Sequence, residues 1–227
     1  MKHRKQVLHT MNNQNLLLTE YFTTFQGEGG STGSPATFIR LYGCNLNCKF
    51  CDEQKQEIVK PISLTVNETY KLITKELKKL PLHNKLLVIT GGEPFLQYEQ
   101  LRELIKKINH EQPNTEIHIE TNGSIQKHLT VDKCVVSPKW LEETELNKCV
   151  NYFINKYSCV EFKFVITLEN INYLINYINH NPYIQNVYLQ PETSNAPQIT
   201  TEIIRKYPYI RKPFKISSQT HKFLKQK

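Results

Sequence analysis

From residue 16 onward the chain alternates between two hydrophobic rhythms. Short runs rich in β-branched and aromatic residues lie at Leu16–Phe22, Ala36–Tyr42, Lys85–Thr90, Glu116–Thr121, Lys133–Ser137, Cys159–Ile166, Val187–Gln190 and Phe214–Ser217, and each reads as a strand. Between several of them the apolar positions recur at helical spacing instead. Val66, Tyr70, Ile73, Leu77 and Leu80 form one stripe, and Tyr98, Leu101, Leu104, Ile105 and Ile108 a second. Ile171, Leu174, Ile175 and Ile178 form a third. Thr65 and Glu68 have the spacing of a capping box at the start of the first helix. The three stripes are core faces and carry no chemistry of their own.

Strands that alternate with helices predict βα units and a largely parallel sheet. Three clear helices are too few to close an eightfold barrel. The expected fold is therefore α/β: a partial, open TIM-like barrel with reduced helix content. In such sheets reactive groups gather at the carboxyl ends of the strands, and each motif below falls at such an end. No repeat, low-complexity tract or long Pro/Gly linker interrupts the pattern. One domain is expected over residues 15–227, preceded by a flexible polar extension over residues 1–14.

No apolar run approaches the ~20 residues needed to span a bilayer, so no membrane partner is expected. Met1-Lys-His-Arg-Lys is basic, but no apolar stretch of a secretory signal follows it. A cytoplasmic location is expected. The net charge is +8, and the excess lies partly at the ends, in Lys2, Arg4, Lys5, Lys222, Lys225 and Lys227. Solvated termini are one account of it and attraction of an anionic substrate or nucleic acid another, but no RNA-binding motif accompanies the charge, so nucleic acid is not expected as a partner.

Cysteine usage changes the picture. Of six cysteines, Cys44, Cys48 and Cys51 sit within eight residues, while Cys134, Cys149 and Cys159 are scattered. A tight cluster in a chain without an export signal points to metal or redox work rather than disulfides. The spacing is C-x3-C-x2-C, on the loop after a predicted strand. Three thiolates on one loop can hold three irons of a cubane cluster, leaving the fourth iron open to a ligand. Zinc is the alternative, but structural zinc wants four ligands, and only Cys48 and Cys51 form a C-x2-C pair. About forty residues on, Thr90-Gly91-Gly92-Glu93-Pro94 ends another predicted strand. Two glycines there permit close backbone approach to a ligand.

The cysteine triplet, with Phe50 before its third member, and the Gly-Gly-Glu element together resemble the radical S-adenosylmethionine (SAM) superfamily. The resemblance implies that the amino and carboxylate groups of SAM chelate the open iron of a 4Fe–4S cluster. One electron then breaks the sulfonium bond and releases a 5′-deoxyadenosyl radical. It also implies that Phe50 lies against the adenine and that the Gly92 region receives the SAM amino group.

Upstream motifs narrow the resemblance. Thr24-Phe25-Gln26-Gly27-Glu28-Gly29-Gly30 supplies donors, acceptors and a loop able to fold over a ligand, though a Gly-rich surface turn would look the same. Arg40 stands four residues before the first cysteine, where it could bind a carboxylate bidentately or form a surface ion pair. These segments, with Thr90–Gln97, Glu120-Thr-Asn-Gly123, Ser137-Pro-Lys139, Glu161–Val165, Gln190-Pro191 and Gln219–Lys222, resemble the 7-carboxy-7-deazaguanine synthase family over almost the whole chain.

That resemblance implies ring contraction of 6-carboxy-5,6,7,8-tetrahydropterin with loss of ammonia, in queuosine or deazapurine biosynthesis. It implies Phe25, Gln26, Gly27, Arg40 and Thr90 on the substrate. It implies Gly92, Ser137, Pro138, Lys139, Gln190, Pro191 and Glu192 around SAM. Lys163 is open between a SAM contact and a solvent-facing strand position. An electron donor of flavodoxin or ferredoxin type and a homodimer are also implied. Two positions depart from the family. Where members commonly have Cys-Asp-Thr, with the threonine helping to hold Mg²⁺, this chain has Cys51-Asp52-Glu53, and Glu53 becomes the expected Mg²⁺ ligand. Members often end in a proline whose carboxylate touches the pterin; here Lys227 would bear that carboxylate. A radical SAM activase acting on a protein glycine would share the cluster and Gly-Gly-Glu motifs but not the Gln26–Gly29 loop.

Overall fold

The computed structural model describes residues 14–49, 51, 60–81, 83, 85–139 and 142–220. Within them nine strands form a single open sheet, β1 (Asn15–Phe25), β2 (Pro35–Leu41), β3 (Ile62–Thr65), β4 (Lys85–Gly91), β5 (Thr115–Thr121), β6 (Lys133–Val136), β7 (Val160–Ile166), β8 (Val187–Pro191) and β9 (Phe214–Ile216). Their order is β3-β1-β2-β4-β5-β6-β7-β8-β9. β1 pairs antiparallel with both β2 and β3. From β2 to β9 every pairing is parallel.

Five α-helices lie among the described residues: α1 (Val66–Leu77), α2 (Tyr98–Glu111), α3 (Glu143–Lys156), α4 (Ile171–His180) and α5 (Ala196–Lys206). Because the strand order from β2 to β9 never reverses, each right-handed crossover advances the sheet in the same direction and sets its helix on the same face. The apolar residues confirm this. One large cluster joins Ile39, Leu87, Ile89, Ile117, Ile119, Val136, Phe162, Phe164 and Leu189 of the sheet to Ile73, Leu104, Phe153, Ile175 and Ile203 of the five helices. Among the described residues the opposite face has a small cluster, Ala36, Phe38, Leu86 and Val88 with Phe22 packed on it. Sequence alternation along each strand thus sorts residues between an oily outer face and a mostly polar inner face. The expected partial, open barrel is the fold observed.

The helix α1 begins with the expected capping box: Glu68 N donates to Thr65 Oγ1 at 3.2 Å and Thr65 N donates to Glu68 Oε2 at 2.8 Å. Three elements escaped the sequence reading. β3 is four residues long and mostly exposed, so it has no apolar alternation to display. α5 buries only Ile199 and Ile203, too thin a stripe to recognise. α3 buries Leu146, Cys149, Val150 and Phe153, which is a helical spacing and was legible. The proposed extension falls almost wholly on residues 1–13, outside the described residues. No helix among the described residues is long and apolar enough to cross a membrane.

Candidate functional site

The parallel strands end at one rim of the half-barrel, and the cysteine, Gly-Gly-Glu, Ser137-Pro-Lys139 and Gln190-Pro191 motifs meet there; the Phe25–Gly30 loop does not, because β1 runs antiparallel and delivers it from the opposite end. β2 runs out at Leu41 and hands the chain to Gly43 and Cys44; β4 runs out at Gly91 and hands it to Gly92 and Glu93. The two ends are locked together. Gly92 N donates to Leu41 O at 3.0 Å and Glu93 N to Gly43 O at 2.8 Å. A Cβ on Gly92 would overlap the Gly43 carbonyl, and Gly91 has φ +123° against the Leu41 backbone. The two glycines are needed because the Gly-Gly-Glu turn lies backbone to backbone on the chain that delivers the first cysteine.

Glu93 anchors this junction and is fully buried. Its Oε1 accepts from Thr121 Oγ1 at 2.8 Å and Phe95 N at 3.1 Å, and its Oε2 accepts from Asn122 N at 2.8 Å. Burial pushes its carboxyl up to about 7, against the pull of these donors. Glu93 therefore ties the ends of β4 and β5 to the cysteine loop from beneath.

Cys44, Cys48 and Cys51 are half-buried, unbridged, and line one cleft of about 1030 Å³, part of it open to solvent. Leu46 N points at Cys44 Sγ at 3.4 Å and Asn122 Nδ2 at 3.8 Å. Burial raises the Cys44 and Cys48 thiols, with Glu93, Cys51 and Cys48 adding to Cys44 and Cys51 to Cys48, while Lys139 draws Cys48 the other way. Three neighbouring thiols with N–H groups aimed at sulfur fit an iron–sulfur cluster, whose properties depend on such hydrogen bonds. Three thiols suit separate irons of one cluster, whereas structural zinc takes four protein ligands. Cys134 and Cys149 are buried in the helix-side core, away from the cleft.

The same cleft is lined by Arg40, Thr90, Gly92, Ser137, Lys139, Gln190, Pro191 and Glu192 of the expected substrate and SAM groups. Lys139 Nζ donates to Ser137 Oγ at 2.6 Å. Burial, helped by the nearby Lys163 ammonium, brings Lys139 down to about 8. Arg40 Nε donates to Glu20 Oε1 at 3.0 Å, so the ion-pair and cleft readings of this residue hold together. Gln190 Oε1 accepts from Ser217 Oγ at 3.3 Å.

Four expected positions sit elsewhere. Gln26 is buried, and its Nε2 donates to Glu120 Oε1 at 2.9 Å. Gly27 is buried, and its carbonyl accepts from Thr220 N at 3.1 Å. Phe25 is 51% exposed, outside the cleft lining, and Pro138 is buried beside Ser137. Phe50, Glu53 and Lys227 lie outside the described residues.

The centre of the inner face is a charge cluster that sequence reasoning named only in pieces. Lys163 is 5% exposed, so it does not face solvent. It donates to Glu28 Oε2 and, at 3.4 Å, to Glu120 Oε2. Burial works to lower Lys163, but the Glu120 and Glu28 carboxylates outweigh it and hold the ammonium above the usual lysine range. Gln219 Nε2 donates to Glu28 Oε1 at 2.8 Å, and Thr90 Oγ1 reaches Glu120 Oε2 at 3.5 Å. The signal that could have exposed this cluster was present. Glu161, Lys163 and Val165 alternate along β7 with the core residues Phe162 and Phe164, which marks a strand whose second face is enclosed.

A family model described as a 4Fe–4S single cluster domain matches residues 25–181. The 7-carboxy-7-deazaguanine synthase of Rickettsia prowazekii is 32% identical over 212 residues, covering 89% of this chain and 85% of that protein. The enzyme of the same name from Bacteroides thetaiotaomicron is 30% identical, covering 91% and 96%. Among solved structures, QueE from Escherichia coli superposes with a TM-score of 0.65 at 22% identity, over 92% of this chain and 99% of that one, a likeness of fold. Because the sequence likeness runs through nearly the full length of both chains and is not confined to the cysteine loop, this chain belongs to the 7-carboxy-7-deazaguanine synthase family.

Proposed function

We propose that this enzyme converts 6-carboxy-5,6,7,8-tetrahydropterin to 7-carboxy-7-deazaguanine by radical ring contraction with loss of ammonia, in queuosine or deazapurine biosynthesis. One observation carries the reading: a single cleft holds three thiols at its rim and, beside them, Arg40, Thr90, Glu120 and Lys163. A bound cluster and SAM supply the one-electron bond cleavage that starts the chemistry. The chain's own residues do the rest.

Cys44, Cys48 and Cys51 hold the cluster. Gly92, Ser137, Pro138, Lys139, Gln190, Pro191 and Glu192 surround SAM, with Phe50 on its adenine. Lys139 offers a cation to the SAM carboxylate. On the pterin side, Arg40 offers a planar fork to a carboxylate or carbonyl edge and Thr90 borders it, while Phe25, Gln26 and Gly27, outside the cleft lining, are assigned to the substrate by the family likeness alone. The ammonium on Lys163 is shared between Glu28 and Glu120. It holds the Glu28 and Glu120 side chains in place beside the substrate, where their oxygens accept from its N–H groups.

Mg²⁺ with Glu53 as an oxygen ligand, a terminal carboxylate from Lys227, an electron donor of flavodoxin or ferredoxin type, a homodimer and a cytoplasmic setting belong to the same reading. The test is anaerobic reconstitution, then incubation with reductant, SAM and the carboxytetrahydropterin across Mg²⁺ concentrations. Expected is a ring-contracted product by mass spectrometry, with a higher Mg²⁺ requirement in Glu53→Gln. SAM cleavage without that product removes the substrate assignment. Superimposable Mg²⁺ curves remove Glu53 as a ligand.

A further inference from the structure

The loop between β1 and β2, residues 26–34, starts at the opposite end of the half-barrel from the cysteines, because β1 runs antiparallel to β2. It nevertheless delivers Gln26 and Glu28 to the charge cluster. Its neck is closed by Gln26 N to Ser34 O at 2.8 Å and Gly33 N to Gln26 O at 2.7 Å. It is thus a plug, pushed up into the sheet's inner face from below.

Beneath the charge cluster lies a second ion pair that the reaction does not use. Lys133, the first residue of β6, sits 2.9 Å from Glu161 Oε1 on β7, and both side chains are largely buried. Both reach the plug. Glu161 Oε2 accepts from Gly30 N at 3.0 Å, and Lys133 Nζ donates to Ser31 Oγ at 2.9 Å. A Cβ on Gly30 would overlap the Glu161 carboxylate and the Tyr188 hydroxyl, so the contact has no slack. Glu161 and Lys163 are two residues apart on one strand and point the same way. One strand therefore grips the plug twice: its carboxylate takes the Gly30 amide, and its ammonium takes the Glu28 carboxylate.

We propose that Lys133 and Glu161 are positioning residues. Through Gly30 and Ser31 they fix the height of the loop 26–34, and so place Gln26 and Glu28 as the floor of the substrate site. Among the described residues the pair does not line the cleft that holds the cysteines. Its loss displaces the floor while leaving the rim, where SAM is expected, in place. This inference rests on the proposed substrate for its functional consequence, but not for the clamp itself.

A buried pair broken on one side destabilises through the charge left behind, whereas removing both charges is often neutral. The double variant Lys133→Met/Glu161→Met, which leaves neither the cation nor an acceptor for Gly30 N, therefore separates positioning from folding. The holoenzyme of this variant should melt close to wild type. Amide hydrogen exchange over residues 26–34 should be faster than in wild type, with exchange around the cysteine loop unchanged. Binding of the carboxytetrahydropterin to the SAM-loaded enzyme should weaken about ten-fold, the factor that one hydrogen bond to a charged group is worth, while SAM affinity stays the same. Lys133→Arg should retain wild-type binding, since it keeps the cation. Wild-type exchange in the loop of the double variant overturns the proposal, as does equal weakening of SAM and pterin. If the wild type itself does not bind the pterin, the proposed function fails, while the exchange measurement still decides whether the clamp exists.

Discussion

The two faces of the same sheet follow opposite rules. On the helix side, one continuous apolar cluster runs from Leu16 to Ile203 and contains the large buried side chains Phe153, Phe162 and Phe164. On the inner side, the apolar patch among the described residues is Ala36, Phe38, Leu86 and Val88, and the cleft carries the polar side chains of Arg40, Thr90, Glu120, Lys163 and Gln190. Adjacent residues in sequence thus belong to different economies of interaction. The outer face contributes stability through burial, about 25 cal/mol for each Å² of apolar surface removed from water. The inner face gives up much of that burial and holds charge in fixed geometry instead. The comparison implies that substitutions one residue apart should separate folding from chemistry.

The cysteines give the largest expected contrast. Cys44→Ala removes a ligand at the rim and should abolish SAM cleavage and the brown colour of the reconstituted protein. Cys134→Ala, in the helix-side core, should keep both and cost only stability, about 1 kcal/mol for one small buried group. Cluster loss in Cys134→Ala would break the assignment of three ligands.

Ile39 and Arg40 come next, as neighbours on β2 facing opposite sides. Ile39 is fully buried, and Ile39→Ala should cost roughly 2–5 kcal/mol in denaturant titrations. The folded fraction should keep its substrate affinity. Arg40 is partly exposed and paired with Glu20, an arrangement worth about 0–1 kcal/mol. Arg40→Ala should leave stability near wild type and raise the substrate KM at least ten-fold, roughly the worth of one charge-assisted hydrogen bond. Reductant-driven SAM cleavage without substrate should persist. Arg40→Lys should recover part of the affinity, because it keeps the charge but loses the fork. An unchanged KM in Arg40→Ala removes it from the substrate site.

Glu93 tests the boundary between the faces, and its effect is the most graded. The folded protein holds this proton up to about 7, whereas the unfolded chain releases it near 4.5. Between those values the folded state binds more protons, so the contribution of this group is greatest below pH 4.5 and falls as pH rises through 7. The change is on the order of 3 kcal/mol for a fully buried group. Glu93→Gln cannot titrate. The stability of cluster-free wild type relative to this variant should therefore decline across that window and level off above it. A difference that does not vary with pH would show that Glu93 is ionised throughout.

The sequence by itself determined the local elements and the rim chemistry. The spacing of Ile73 and Leu77, or of Leu101, Leu104, Ile105 and Ile108, is a property of one turn after another, and it placed α1 and α2 without reference to the rest of the chain. The cysteine loop and the Gly-Gly-Glu turn were legible for the same reason. Ligand spacing within eight residues is local, and glycine declares a backbone conformation that other residues resist. Tertiary structure decided everything that depends on which residues meet. Glu28, Glu120 and Lys163 are separated by 92 and 43 residues, and no local pattern states that they share one charge cluster. Lys163 read equally well as solvent-facing, because a charge on a strand is ordinarily exposed. Only the curl of the parallel sheet, with the loop 26–34 inserted from below, encloses the inner face and turns an exposed position into a buried one. The physical reason is range: backbone propensity and periodicity act over one or two turns, whereas burial and electrostatic pairing act across the sheet and exist only once it has formed.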